Sequence, residues 1–265
     1  MSEKYHFVAG ELISRKEPAD LELKYTSVQR FELGDERAIA ASGEEVCLVV
    51  LEGSVRYQID GAEETALFQD MLYLPRNKSI SLAANKGNTN GSSSAQEGKA
   101  VVMAYGAPAH RDTAFVHIPF SRIDADPERH KQYGNRENNT LRDVWHFIND
   151  DFDACRLMMG ICRGRTGGWT AWPPHEHGEQ REEVYTYFDM GRSFAIQCVY
   201  QDMDRPMAMA LVRNGDLVSI PRGYHPNAGS PAGAICFVYC MTATKPDERK
   251  FMDLKIQQIY GEKFE

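Results

Sequence analysis

The sequence lacks several features that would assign it to a class at once. No stretch approaches the 18 or so apolar residues of a membrane span, and the opening segment, MSEKYHFVAGELISRK, has no apolar core of a secretory leader. A cytoplasmic protein with no membrane partner is therefore expected. No run of Lys or Arg exceeds a dipeptide, and the formal net charge is -8. Neutralising phosphates takes a basic stripe, so nucleic acid is not an expected partner either. The six cysteines form no CxxC pair and sit mostly within apolar runs, which excludes a zinc knot and favours reduced core thiols over disulfides. No serine or cysteine lies in the context of an activated nucleophile, which disfavours acyl transfer. Long amphipathic helices and a helix-turn-helix segment are also missing.

What is present is β-structure. EVCLVVLEG, SVRYQIDG, MLYLPRN and KAVVMAYG follow one another closely, as do EEVYTYFD, RSFAIQCVYQD, MAMALVRNGDLVSIPRG and AICFVYCMTAT later on. Short apolar or alternating runs separated by Gly, Asn and Asp have the rhythm of an antiparallel sandwich or barrel. The 265 residues, 42% of them hydrophobic, can fill one large core or two small ones. The two series match at one place: Asp70 to Pro75-Arg76 and Asp216 to Pro221-Arg222 have the same spacing, with four apolar or small residues between. That match predicts a duplicated unit. The expected division is an N-terminal half over 1–120, a connector over 121–140 with a short helix around Pro127 to Gln132, and a C-terminal half over 141–265. NKGNTNGSSSAQEGK, Asn85 to Lys99, is expected to be a mobile hairpin tip. With neither GK[ST] nor a following helix, it is no phosphate loop.

The halves differ in chemistry. No histidine lies between His6 and His110, and His225 of the second copy falls opposite Ser79 of the first. In the second half, the stretch WPPHEHGEQREEVYTYF places His175 and His177 at i and i+2, which on an extended chain face the same way. Pro173 and Pro174 disfavour helix at the approach. Glu182 and Glu183 follow past a turn, and His225 comes after a distant Pro-Arg-Gly. Imidazole nitrogens with one carboxylate oxygen suit Zn, Mn, Fe, Co or Ni, with positions left for substrate. His6, His110, His117, His130 and His146 have no ligand spacing and are expected to be surface or packed residues.

The pattern of Gly168, His175, His177, a glutamate and Gly191, followed by Gly215-Asp216, Pro221 and His225, resembles the paired motifs of the cupin superfamily. More narrowly, GGWTAWPPHEH, EEVYTYF, VYQDMDRPMAMALVRNGDLVSIPRGYHP and YGNRENNTLRDV resemble the 5-deoxy-glucuronate isomerases of inositol catabolism and, less closely, the 5-keto-4-deoxyuronate isomerases. The resemblance implies an all-β double cupin of two jelly-roll-like barrels, with metal held only in the C-terminal one by three histidines and one glutamate. It also implies an aldose–ketose isomerase of a deoxyuronate-type sugar acid. The isomerase pattern puts the carboxylate ligand directly before a Tyr-x-Tyr run, which selects Glu183. Strand alternation agrees, since Glu183, Tyr185 and Tyr187 share one face and Glu182, Val184, Thr186 and Phe188 the other. The usual cupin spacing selects Glu182 instead.

Tyr185, Tyr187 and Gln197 are candidates to line the catalytic cavity, and the implied substrate carboxylate calls for a cation. Arg222, which flanks the His225 turn, is the candidate carried forward; Arg142, Arg163 and Arg165 are others. Trp169 and Trp172 stand beside the histidines as candidate walls. Two other classes fit the same ligands, a cupin dioxygenase or oxidase and a sugar-acid-binding bicupin without turnover. A homodimer is an expected assembly, with the C-terminal tail as a cover for a sheet edge.

Overall fold

The computed structural model describes residues 4–85 and 98–261, so most of the expected hairpin tip at Asn85 to Lys99 lies outside the described residues. The described chain is nearly all β, and its α-helix is the short segment Phe120–Asp124. No helix among the described residues is long and apolar enough to cross a membrane.

Each half contributes two antiparallel sheets. In the first, a five-stranded sheet contains Ser27–Leu33, Glu44–Glu52, Met71–Leu74, Ala100–Pro108 and Val116–Ile118, and a four-stranded sheet contains Arg37–Ala40, Val55–Ile59, Ala62–Ala66 and Ser79–Ala84. In the second, a seven-stranded sheet includes Arg142–Ile148, Leu157–Gly164, Arg181–Tyr187, Leu217–Ile220 and Cys236–Ala243, faced by a four-stranded sheet with Ala195–Val199 and Ala208–Val212. No closed barrel is found among the described residues.

Several central strands are buried throughout because they face apolar layers on both sides. Alternation sends Cys47, Val49 and Leu51 into a core shared by the two halves, and Val46, Leu48 and Val50 into a core of the first half alone. Likewise Val184 and Phe188 enter the shared core, while Tyr185 and Tyr187 face the second half's own interior. Continuous apolar runs such as CLVVL are the sequence counterpart of this double burial.

The two halves share a register. Val46 pairs with Leu74 and Glu183 with Ile220, and Leu74 and Ile220 each immediately precede Pro-Arg. Val46 therefore corresponds to Glu183, and Glu45 to Glu182. The latter two perform reciprocal tasks across the shared core. Glu182 accepts hydrogen bonds from the backbone N–H groups of Lys24, Tyr25 and Thr26 at 2.7–2.8 Å, and from the Thr26 hydroxyl. Glu45 accepts from the backbone N–H groups of Cys155, Arg156 and Leu157 at 2.6–2.9 Å and from the Tyr73 hydroxyl. The edges repeat too. His117 pairs with Leu72 and bonds Asp70 at 2.9 Å; His6 pairs with Val218 and bonds Asp216 at 3.1 Å. The chain's first strand, His6–Phe7, thereby joins the sheet of the second half.

The expected helix around Pro127 to Gln132 is not formed. The helix lies earlier, after Pro119, and His130–Tyr133 is a strand paired with Arg142–Trp145. The His130 ring stacks on Trp145, and the Arg142 guanidinium sits over the Tyr133 ring, contacts that a helix would forfeit. At the far end, Lys255–Ile256 pairs with His175–Glu176, so the tail covers an edge within this chain. All six cysteines are free thiols.

Candidate metal centre

His175 and His177 lie on and just after the short strand His175–Glu176, Glu183 on Arg181–Tyr187, and His225 in the turn after Leu217–Ile220. The i, i+2 spacing works as the extended chain requires. His175 and His177 turn inward and are buried, whereas Glu176 between them turns out to bond Lys255. One nitrogen from each of His175, His177 and His225 lies within 4.8 Å of the others. Glu183 Oε2 is 3.2 Å from His177 Nε2 and 3.1 Å from His225 Nε2.

Backbone carbonyls fix two of the rings. His175 Nδ1 faces Pro173 O at 3.1 Å and His225 Nδ1 faces Gly223 O at 2.8 Å, which directs each Nε2 toward the centre. His225 then has an acceptor on both sides. A neutral imidazole carries one N–H, and if Nδ1 gives it to Gly223 O, the Nε2 lone pair points at an oxygen of Glu183. Nε2 of His225 is buried and makes no well-formed hydrogen bond. Two lone pairs 3.1 Å apart repel unless a positive charge lies between them, so the donor set fits a cation.

The ionisation states fit as well. Burial pushes His175 and His177 below the ordinary imidazole value, with neighbouring rings adding to the effect. Burial alone would raise the Glu183 carboxyl, but the adjacent His177 and His225 rings outweigh burial and hold it well below the usual carboxylate range. Neutral imidazoles beside an anionic carboxylate form the state in which these groups bind metal.

His175, His177 and Glu183 line a cavity that opens to solvent at its mouth. Its walls include Arg142, His146, Tyr185 and Tyr239 from the seven-stranded sheet, and Phe251, Met252 and Leu254 from the tail. Arg142 is buried, and its guanidinium donates to Thr140 O and Trp172 O.

The sequence-named candidates separate into two groups. Tyr185 lines the cavity, its ring 5.7 Å from that of His225. Tyr187 and Gln197 do not line it. They bond each other and Asn227, while Gln197 Nε2 donates to the His225 carbonyl at 2.8 Å, so they brace the turn that carries His225. Arg222 is exposed and outside the cavity, and Arg142 is the buried arginine of its wall. The Pro-Arg turn sends Arg222 outward as it sends Arg76, which pairs with Asp112. Arg163 pairs with Asp189 and Arg165 with Asp143. Trp169 and Trp172 stack edge to face outside the cavity wall, Trp172 also meeting Tyr260. Glu182, the alternative ligand, points away into its clasp.

His146 and Tyr239 were not legible as site residues. Each sits singly in an apolar strand, and only a strand-to-strand register would have placed them together. A second group, His110, Cys155 and Asp247, also clusters, but Asp247 already bonds His110 at 2.9 Å and Arg111 at 3.2 Å, and two of the three are exposed.

Comparison with known proteins gives the family. A 5-deoxy-glucuronate isomerase of Shouchella clausii is 29% identical over 250 residues, covering 84% of this chain and 82% of its own. A 4-deoxy-L-threo-5-hexosulose-uronate ketol-isomerase of Rhizobium meliloti is 24% identical over 215 residues, covering 79% and 69%. Among solved structures, an IolB-like protein of Salmonella typhimurium superposes with a TM-score of 0.77 at 18% identity, covering 97% of both chains. Oxalate decarboxylase of Bacillus subtilis superposes at 0.59 with 11% identity, covering 92% and 77%. The fold is cupin-like. The family model that matches residues 3–259 spans both halves and every residue of the centre, and it places this chain in the KduI/IolB family.

Proposed function

We propose that this protein is a metal-dependent isomerase that interconverts the aldose and ketose forms of a deoxyuronate-type sugar acid, with each half a cupin-type jelly roll and the second alone carrying the metal. The observation that carries the reading is the convergence of His175, His177, His225 and Glu183 on one cavity whose wall also holds the buried Arg142. The isomerase names of the relatives supply the reaction class.

A divalent cation held by these four side chains would supply Lewis-acid stabilisation of the negative charge that develops on neighbouring oxygens. The chain's own groups do the rest. Arg142, pre-oriented by the carbonyls of Thr140 and Trp172, would meet the substrate carboxylate. Tyr185 would pack against the sugar beside His225. Phe251, Met252 and Leu254 would limit water access, which strengthens every charge interaction inside. The metal is one of Zn, Mn, Fe, Co or Ni on ligand type.

The test is turnover of 5-deoxy-glucuronate and of 4-deoxy-L-threo-5-hexosulose uronate by purified protein with metal restored, beside elemental analysis of wild type and His175→Ala. Conversion of at least one substrate, with metal lost in the variant, is expected. Oxygen uptake by the ferrous protein without isomerisation would move the assignment to an oxidase, and sugar-acid binding without product to a sensor.

A further inference from the structure

We propose that the Tyr239 hydroxyl is a catalytic acid–base group that relays a proton between the two reacting oxygens of the substrate, with His146 as its positioning residue. The inference rests on the isomerase reading above and names machinery that reading leaves open.

Three independent features point to this pair. First, both side chains are buried in the wall of the cavity that holds His175, His177 and Glu183, and His146 Nδ1 is 2.7 Å from the Tyr239 hydroxyl. Second, the two residues are not on neighbouring strands. Leu157–Gly164 lies between them, and Gly160 is the cross-strand partner of both. A Cβ at position 160 would come within 2.2 Å of the Tyr239 hydroxyl and of the Trp145 carbonyl, so glycine is what lets phenol and imidazole meet across that strand. The register also slips between His146 and Ile148, a bulge of the kind that re-aims a side chain next to a site.

Third, the first half lacks the arrangement. By the register that equates Val46 with Glu183, Ala104 stands at the position of Tyr239 and Gln29 at that of Gly160. The phenol, the glycine beneath it and the carboxylate ligand thus occur together in one half and are all replaced in the other.

The chemistry needs such a group. Converting an aldose to a ketose moves a carbon-bound proton to the adjacent carbon and also transfers the hydroxyl proton from one oxygen to its neighbour. In the proposed step Tyr239 gives its proton to the carbonyl oxygen, which becomes a hydroxyl. The phenol oxygen then takes the proton of the neighbouring hydroxyl, whose oxygen becomes the new carbonyl. One carbon is oxidised and the other reduced, so no outside oxidant or reductant enters, and Tyr239 ends as it began. With His146 as its Nδ1–H tautomer, the imidazole donates to the phenol oxygen. That leaves the phenol proton free to face the cavity and steadies the negative charge on the oxygen while the proton is away. The resting states agree. Burial pushes the Tyr239 phenol up, and it pushes His146 down to about 4, helped by Arg129 and Lys131, so both are neutral near pH 7.

The test compares Tyr239→Phe, His146→Leu and His146→Gln with wild type in the full chain with metal restored. Metal content, calorimetric affinity for the sugar acid, kcat and its pH profile are measured together. Tyr239→Phe should keep metal and bind substrate within about threefold of wild type while kcat falls roughly 10²- to 10³-fold. In His146→Leu, loss of the donor should move the basic limb of kcat to higher pH. His146→Gln, whose amide can donate, should recover part of the lost rate. A Tyr239→Phe kcat within threefold of wild type overturns the relay while leaving the isomerase reading intact. So does a rate loss that merely tracks lost metal, or an unmoved basic limb in His146→Leu, which decides alone should Tyr239→Phe not fold. Wild type that converts neither uronate overturns the isomerase reading and the relay with it.

Discussion

Replacing Glu182 and Glu183 by alanine, one at a time, should separate two neighbouring carboxylates by opposite phenotypes. Glu182 takes four hydrogen bonds from the first half, three from backbone N–H groups and one from the Thr26 hydroxyl. In Glu182→Ala the N–H and hydroxyl of Thr26 stay buried without that acceptor, although the hydroxyl keeps its 2.8 Å contact with Thr242. The half-buried N–H groups of Lys24 and Tyr25 can turn to water. With the Thr26 N–H stranded at about 1–3 kcal/mol and a few tenths for each of the two that rehydrate, the loss is roughly 1.5–4 kcal/mol. Against a total stability of about 5–15 kcal/mol, that is a large fraction. With a urea m-value of about 3 kcal/mol/M, the midpoint should fall by roughly 0.5–1.3 M. Bound metal per folded chain should stay at the wild-type level, because Glu182 points away from His175, His177 and His225. Glu183→Ala should do the reverse, losing metal with a smaller change in midpoint. Urea unfolding followed by tryptophan fluorescence, with elemental analysis of the same samples, reads both. A Glu182→Ala protein that loses metal but keeps its midpoint within about 0.2 M would refute the division of labour.

Other outcomes are equally open to measurement. Because folded His146 is held near 4 against an ordinary 6.5, the unfolded chain binds the extra proton between those values. Stability should therefore fall as pH drops through that window, by at most about 3 kcal/mol from this residue, and the slope should flatten in His146→Gln. Gly160→Ala drives a methyl into the Trp145 carbonyl as well as Tyr239, and should cost about 2–4 kcal/mol in denaturant unfolding together with most of the activity. Phe251→Ala removes a wall of the cavity without altering His175, His177, Glu183 or His225, so KM for the sugar acid should rise several-fold while metal content holds, as steady-state kinetics and elemental analysis would register.

Much of this architecture could be read from the sequence because it depends on local periodicity. The strands from EVCLVVLEG to AICFVYCMTAT follow from short apolar runs, and the inward turn of His175 and His177 follows from period two. The Asp-to-Pro-Arg match also marks strands that hold the same register in each half. What depends on distant register was not legible. Arg222 looked close to the centre because it is near His225 in sequence, yet the turn sends it to solvent, while Arg142, more than eighty residues away, enters the cavity wall. Tyr187 and Gln197 share the ligand-bearing region but bond each other behind the His225 turn. The connector helix was expected from polarity alone. The strand His130–Tyr133 forms instead because Trp145 and Arg142 offer it ring contacts that appear only once the hairpin closes.

The reciprocal clasps of Glu45 and Glu182 have a consequence for how the two halves can differ. Each clasp residue is one step along its strand from the position that holds Glu183 in the second half and Val46 in the first. One step on a strand reverses the facing direction, so bonding between the halves and chemistry within a half occupy opposite sides of the same backbone. Position 183 faces a cavity and position 46 an apolar core, and the seam lies on the other side of both strands. A half cut free would keep its glutamate but lose that residue's partners, and the second half would also forfeit the strand His6–Phe7. The seam thus binds the halves through one side of each strand and leaves the other side to each half's own interior.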